Sequence, residues 1–226
     1  MNANLRFLFC SQTLLIACLL GLTSYFWGSA FYIYSKAQLA QILIAQSWQD
    51  TLQSPEQFSN HKPWSWADTW PVARLRWHNN KKYKDVFILA GANGTSLAFG
   101  PGHLSGTALP GDGFSVIAGH RDTHFSFLQY LARGDEFMIQ SRNGEWAKFR
   151  VVATEIIDSS RQKLLIEKNK NVIKLVTCYP FDAVTPGGSL RYVVEAAPLH
   201  QGLAINVRFK QSSFKHFRLN HPEFTF

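Results

Sequence analysis

Cysteine is scarce in this 226-residue chain, and its placement is more informative than its number. Of three cysteines, Cys10 and Cys18 fall within an apolar N-terminal run, leaving Cys178 alone in the remainder, where no internal disulfide can form. Charge is thin as well: 17% of residues, low for a wholly soluble protein, so part of the chain is expected to lie in a membrane. The 15 acids form no cluster of the kind a calcium site needs. The net charge of +8 is spread over strands and tail with no dense basic run among aromatics, which argues against nucleic acid and for an anionic membrane surface.

No charged residue lies between Arg6 and Lys36, and residues 7–28 are long and apolar enough to cross about 30 Å of hydrocarbon as a helix. The segment reads as an uncleaved single-pass anchor. Its rival is a cleaved signal peptide ending near Gly28-Ser29-Ala30, although such peptides have a shorter apolar core. Tyr25, Phe26, Trp27, Phe31, Tyr32 and Tyr34 cluster at the far end like an interfacial belt. Residues 1–6 are expected on the cytoplasmic side and the bulk of the chain outside. Helical spacing continues through Leu39, Ile42, Leu43, Ala45 and Trp48 to a stop at Ser54-Pro55, so 29–69 reads as a juxtamembrane helix followed by a linker or lid.

Beyond Trp70 the pattern changes to short alternating runs separated by turn signals, which predicts a mainly β domain over 70–198. Expected strands are 72–77, 86–90, 115–119, 136–141, 147–157, 172–178 and 190–196, with one short helix within 123–133. Turns at His78-Asn79-Asn80, Pro110-Gly111-Asp112-Gly113 and Asn143-Gly144 separate several of them. Residues 96–106 read as glycine-rich and irregular. Residues 199–226 read as a basic tail, with 205–209 a possible further edge strand.

Chemistry is concentrated at the ends of three expected strands. Cys178 closes an apolar strand, Arg191 opens the next, and His120 follows Gly119 where a strand hands over to a loop. A thiol becomes a strong nucleophile as thiolate, which a nearby cation favours; a guanidinium can hold an oxyanion without titrating; an imidazole can move the proton. His124 lies four residues beyond His120, a spacing used by zinc pairs on helices. No third ligand of good spacing follows, and Arg121 between them would repel a cation, so neither metal nor other cofactor is expected. The string His120-Arg121-Asp122 also mimics a kinase catalytic loop, but no glycine-rich nucleotide loop or downstream asparagine accompanies it.

A Gly-His pair after a β-strand, the strand end Leu175-x-Thr177-Cys178 and the strand-opening Arg191 together resemble the sortases, cysteine transpeptidases of bacterial surfaces. The string CYPFDAVTPGGSLRYVVEA looks closest to sortases of Gram-negative, largely marine proteobacteria, themselves similar to class D enzymes. Lys174 stands where many sortases carry threonine. The resemblance implies a closed barrel of about eight strands, His120, Cys178 and Arg191 as catalytic residues, and Thr177 against the substrate. It further implies a protein substrate with a C-terminal LPxT-like sorting signal and an amine acceptor in the cell envelope or on a partner protein. Two other readings stand beside it: a hydrolase that uses the same three residues to release the peptide to water, and a non-catalytic, membrane-anchored β-barrel adaptor in envelope assembly in which Cys178 is merely buried.

Overall fold

The computed structural model describes residues 3–54, 60–79, 82–162, 167, 169–185 and 187–199. The expected edge strand at 205–209 and nearly all of the basic tail lie outside them. The chain divides into two units, Met1–Leu43 and Ile44–Phe226.

The first unit belongs to α1, a helix over Ala3–Gln53 uninterrupted by proline and long and apolar enough to cross a membrane. At 1.5 Å per residue, 51 residues extend to roughly 77 Å, well beyond a hydrocarbon core of about 30 Å. The change of character at the end of the expected anchor therefore leaves no break in the backbone.

Among the described residues of the second unit, eight strands close into a barrel in the order β1-β2-β3-β4-β7-β8-β6-β5. They are β1 (Pro71–Asn79), β2 (Lys82–Ala90), β3 (Gly102–His103), β4 (Ser115–Gly119), β5 (Glu136–Gln140), β6 (Trp146–Asp158), β7 (Ile173–Cys178) and β8 (Leu190–Pro198). The barrel is the mainly β fold expected from alternation. Period-two patterning places Leu75, Ile88, Ile117, Ile139, Leu175 and Val194 together in the interior, each with no exposed surface. The last turns of α1 belong to this unit: Ile44 and Trp48 are buried, and the Trp48 indole Nε1–H donates to Gln140 Oε1 (3.2 Å).

Residues 96–106 are less irregular than expected. A single helical turn, α2 (Gly94–Leu97), is capped by the Asn93 side chain, and the two-residue β3 pairs parallel with β2 and antiparallel with β4. Gly102 makes this insertion possible, because a Cβ there would collide with the Gly91 carbonyl oxygen. Between β4 and β5, the expected short helix is a 3-10 helix over Ser126–Tyr130, whose Phe127 and Leu128 pack into the core.

His103, on β3, is a buried polar residue with a structural task. Its Nε2 donates to the Ala108 carbonyl (2.8 Å), with the Thr107 hydroxyl 3.0 Å away. Burial lowers its pKa below the usual 6.5, opposed in part by the Ala108 contact. The folded state thus favours neutral imidazole, whereas the unfolded chain takes up a proton near 6.5. The associated stability is full above that pH and is lost as pH falls through it toward the depressed folded value. We expect the urea midpoint to fall between about pH 7 and pH 5, with a shallower slope in His103→Gln; an unchanged slope would remove His103 as a cause.

Candidate active site

Adjacent strands β4, β7 and β8 build the site. β4 and β7 run parallel, so their C-terminal ends meet at one rim, and antiparallel β8 begins there. Cys178 and Arg191 are direct partners across β7 and β8, and Gly119 is the partner of Thr177 across β4 and β7. His120 therefore leaves β4 one residue beyond that pair, level with Cys178. Directly opposed residues project from the same face of a sheet, with Cβ atoms about 4.5–5.5 Å apart in the antiparallel case. Imidazole, thiol and guanidinium are thus carried by three neighbouring strand ends, with the thiol in the middle.

Register also identifies the face. Val116, Val176 and Val193 form a second apolar cluster with Ile157, separate from the barrel interior, and Cys178 shares their side of β7 by alternation. The thiol is free and half-buried, Arg191 is half-buried, and His120 is exposed. Gly119 matters for this placement because a Cβ on it would lie 2.8 Å from the ring of Phe125, which is wholly buried. The Phe125 amide in turn donates to the His120 carbonyl (3.0 Å), closing the turn after the strand.

Arg191 Nη1 donates to the carbonyls of Gly188 (2.6 Å) and Leu190 (3.0 Å). Among the described residues it makes no ion pair, leaving Nε and Nη2 for a ligand. The plain structural alternative, a rim salt bridge to Asp182 or Glu195, is not formed among the described residues: Glu195 Oε2 instead pairs with Lys174 Nζ at 3.1 Å. Those two residues are cross-strand partners on the face that bears Cys178, and Lys174 is 7% exposed. The lysine at the position of the expected threonine is therefore matched by a carboxylate opposite it.

Thr177, which the resemblance sets against a substrate, is tied into the sheet. It is 2% exposed, lies on the face of β7 opposite to Cys178, and donates its hydroxyl to the Gly119 carbonyl (2.7 Å). Neighbours on a strand point to opposite sides, so Thr177 faces away from Cys178. Thr177 ties β7 to β4 directly beneath the histidine and the cysteine.

His124 is half-buried with its pKa lowered, first by desolvation and then by the charge of His120. Among the described residues no three His, Cys, Asp or Glu side chains gather as a metal site. In the sequence Arg121 counts only as a charge between two histidines, yet its Nη2 donates to the carbonyls of Ala183 (2.7 Å) and Thr185 (3.3 Å) in the loop joining β7 to β8. Its adjacency to His120 was the available signal.

Fold and site together define a closed β-barrel protein with a cysteine-centred site at the rim of β4, β7 and β8. Residues 81–199, just over half of the chain, match the family model described as Sortase domain, and the chain belongs to the sortase family. It is 31% identical over 109 residues to Sortase D of Bacillus subtilis (strain 168), an overlap of 47% of this chain and 54% of the relative. The chain thus spans about half the length of that curated relative. Among solved structures, a Clostridium perfringens Sortase D5 transpeptidase superposes with a TM-score of 0.51 at 22% identity, over 67% of this chain and 88% of its own. Sortase A from Corynebacterium diphtheriae does so with a TM-score of 0.51 at 23% identity, over 75% and 86% respectively. At these identities the structural likeness is one of fold.

Proposed function

We propose that this protein is a membrane-anchored cysteine transpeptidase that cleaves an LPxT-like sorting signal and transfers the acyl part to an amine of the cell envelope or of a partner protein. The observation that carries the reading is the direct pairing of Cys178 with Arg191, with His120 one strand away at the same level. The Cys178 thiolate attacks the carbonyl carbon of the signal's threonine, and Arg191 holds the resulting oxyanion through the N–H groups its loop contacts leave over. As the C–N bond breaks, imidazolium at His120 gives its proton to the departing amine, leaving a thioacyl enzyme. The acceptor amine then attacks the thioester carbon, His120 takes its proton, and the C–S bond breaks to regenerate thiolate. Thr177 holds the two strands in register for this chemistry.

The domain plan of the reading is a cytoplasmic N-terminus (1–6), a single transmembrane pass in the bacterial inner (cytoplasmic) membrane (7–28), a juxtamembrane helix and linker (29–69), the catalytic barrel (70–198) and a basic tail (199–226). Support for the anchor is the length and apolar character of α1, with Trp27, Phe31 and Tyr32 among its exposed aromatics. The barrel then sits on the extracytoplasmic side, where sorting signals and envelope amines are met.

The test is product analysis by mass spectrometry on peptides carrying Leu-Pro-x-Thr followed by varied residues, with and without triglycine. Expected are a thioacyl adduct on Cys178 and, with triglycine, an amide-linked product. Release to water alone in the presence of triglycine would make the protein a hydrolase, and binding without any covalent adduct would make it an adaptor.

A further inference from the structure

We infer that Arg121 is a positioning residue that straps the loop between β7 and β8 beside the nucleophile, so that the site is bracketed by two arginines with divided tasks. The inference rests on the transpeptidase reading for its consequence in catalysis; the strap itself is a matter of geometry.

That loop connects Cys178 to Arg191, and the limbs formed by its described residues, 179–185 and 187–189, are held differently. Its base is closed by the Tyr179 amide donating to the Leu190 carbonyl (3.0 Å) and by Arg191 Nη1 on the carbonyls of Gly188 and Leu190. Phe181 packs on the barrel core and against Tyr179 and Tyr192, but beyond it the described residues 182–185 have few ties of their own. Val184 is 97% exposed and contributes no packing, and the Ala183 amide reaches the Pro180 carbonyl only at 3.4 Å. Arg121 supplies what is missing: one terminal nitrogen donating to Ala183 and Thr185, reaching back some sixty residues along the chain. Because Arg121 follows His120 directly, the segment that sets the imidazole is bonded to the loop that follows the thiol.

The division of tasks follows from the chemistry. Arg191 grips the base of the loop with Nη1 and offers its remaining N–H groups to an oxyanion, so a pull of the new charge on the guanidinium is also a pull on the base of the loop. The Ser159 amide and hydroxyl also hold the base through the Ser189 carbonyl (2.9 and 2.7 Å), whereas Arg121 acts on the outer limb and keeps residues 183–185 in place while that pull acts. One guanidinium nitrogen, its two N–H bonds fixed in the plane of the group, donates to both carbonyls, whereas a lysine ammonium keeps the charge but carries its donors on a freely rotating head.

Three chains decide the matter: wild type, Arg121→Ala and Arg121→Lys, each full length in detergent. Limited thermolysin digestion reads the strap without any substrate. Cleavage within residues 181–185 should quicken about tenfold in Arg121→Ala, since proteolysis follows the population of opened segments. Thioacylation by the Leu-Pro-x-Thr peptide should fall roughly tenfold to a hundredfold in kcat/KM, the scale expected of a small misplacement of catalytic groups. Alkylation of Cys178 by iodoacetamide, which needs the thiol but no loop, should stay near wild type, and Arg121→Lys should recover part of both losses. Unchanged thermolysin cleavage, unchanged acylation, a parallel fall in iodoacetamide reactivity, or a lysine variant as impaired as the alanine would overturn the assignment. Failure of the wild-type chain itself to form an adduct would instead strike at the transpeptidase reading, while the thermolysin result would still report on the strap.

Discussion

Cys178→Ala should abolish thioacyl-enzyme formation while leaving the barrel folded. Removal of a nucleophile that forms the covalent intermediate leaves no alternative route through the same bond changes, so a loss on the order of 10⁴-fold or more is expected. The cost to the fold should be small. Cys178 is only half-buried at the end of β7 and belongs to neither apolar cluster, and alanine keeps the backbone pairing with Arg191. A change within about 1 kcal/mol is therefore expected, as for substitutions outside the packed core. Intact-mass measurement of the enzyme incubated with the sorting peptide, beside a circular dichroism melt, reads both quantities. An adduct that persists in the alanine variant would move the nucleophile elsewhere.

The largest expected loss of stability is at Trp48→Ala. Trp48 is fully buried, its ring centroid lies 6.5 Å from that of Phe87, and its indole N–H donates to Gln140, whose own amide donates to the Gly144 carbonyl (3.2 Å). Truncation removes the packed indole and leaves a cavity and a buried amide oxygen without its donor, a combination worth about 3–5 kcal/mol. For a unit of this size that shifts the thermal midpoint on the order of 10 °C. Trp48→Phe keeps most of the apolar volume but drops the donor, and should cost about 1 kcal/mol. Equal melting of the alanine variant and the parent would show that the end of α1 contributes nothing to the barrel's stability.

Trp48 also marks where reading the chain in one dimension stops. Helical spacing around it was plain in the sequence, but a helix periodicity does not say which of its residues will be met by another element. The same holds for Arg121, whose partners lie more than sixty positions away, and for Lys174, whose carboxylate partner is set by the register of two strands. Residues 102–103 were missed as a strand because two residues cannot show a period; pairing on both sides, permitted by a glycine, makes them one. The resemblance sets Thr177 against a substrate, while the period of two along its strand turns its side chain to the face opposite Cys178.

Taken alone, the order of residues determined the apolar helix, the succession of strands and the three strand-end side chains at 120, 178 and 191. Those features are legible because periodicity, turn residues and rare chemistry act over a few neighbouring positions. Closure of the barrel, the level at which the three ends meet, and the ties from Thr177, Glu195 and Arg121 were decided only by the tertiary structure. Register between strands depends on the summed packing of both faces and on backbone pairing across long separations, which no local stretch of sequence contains.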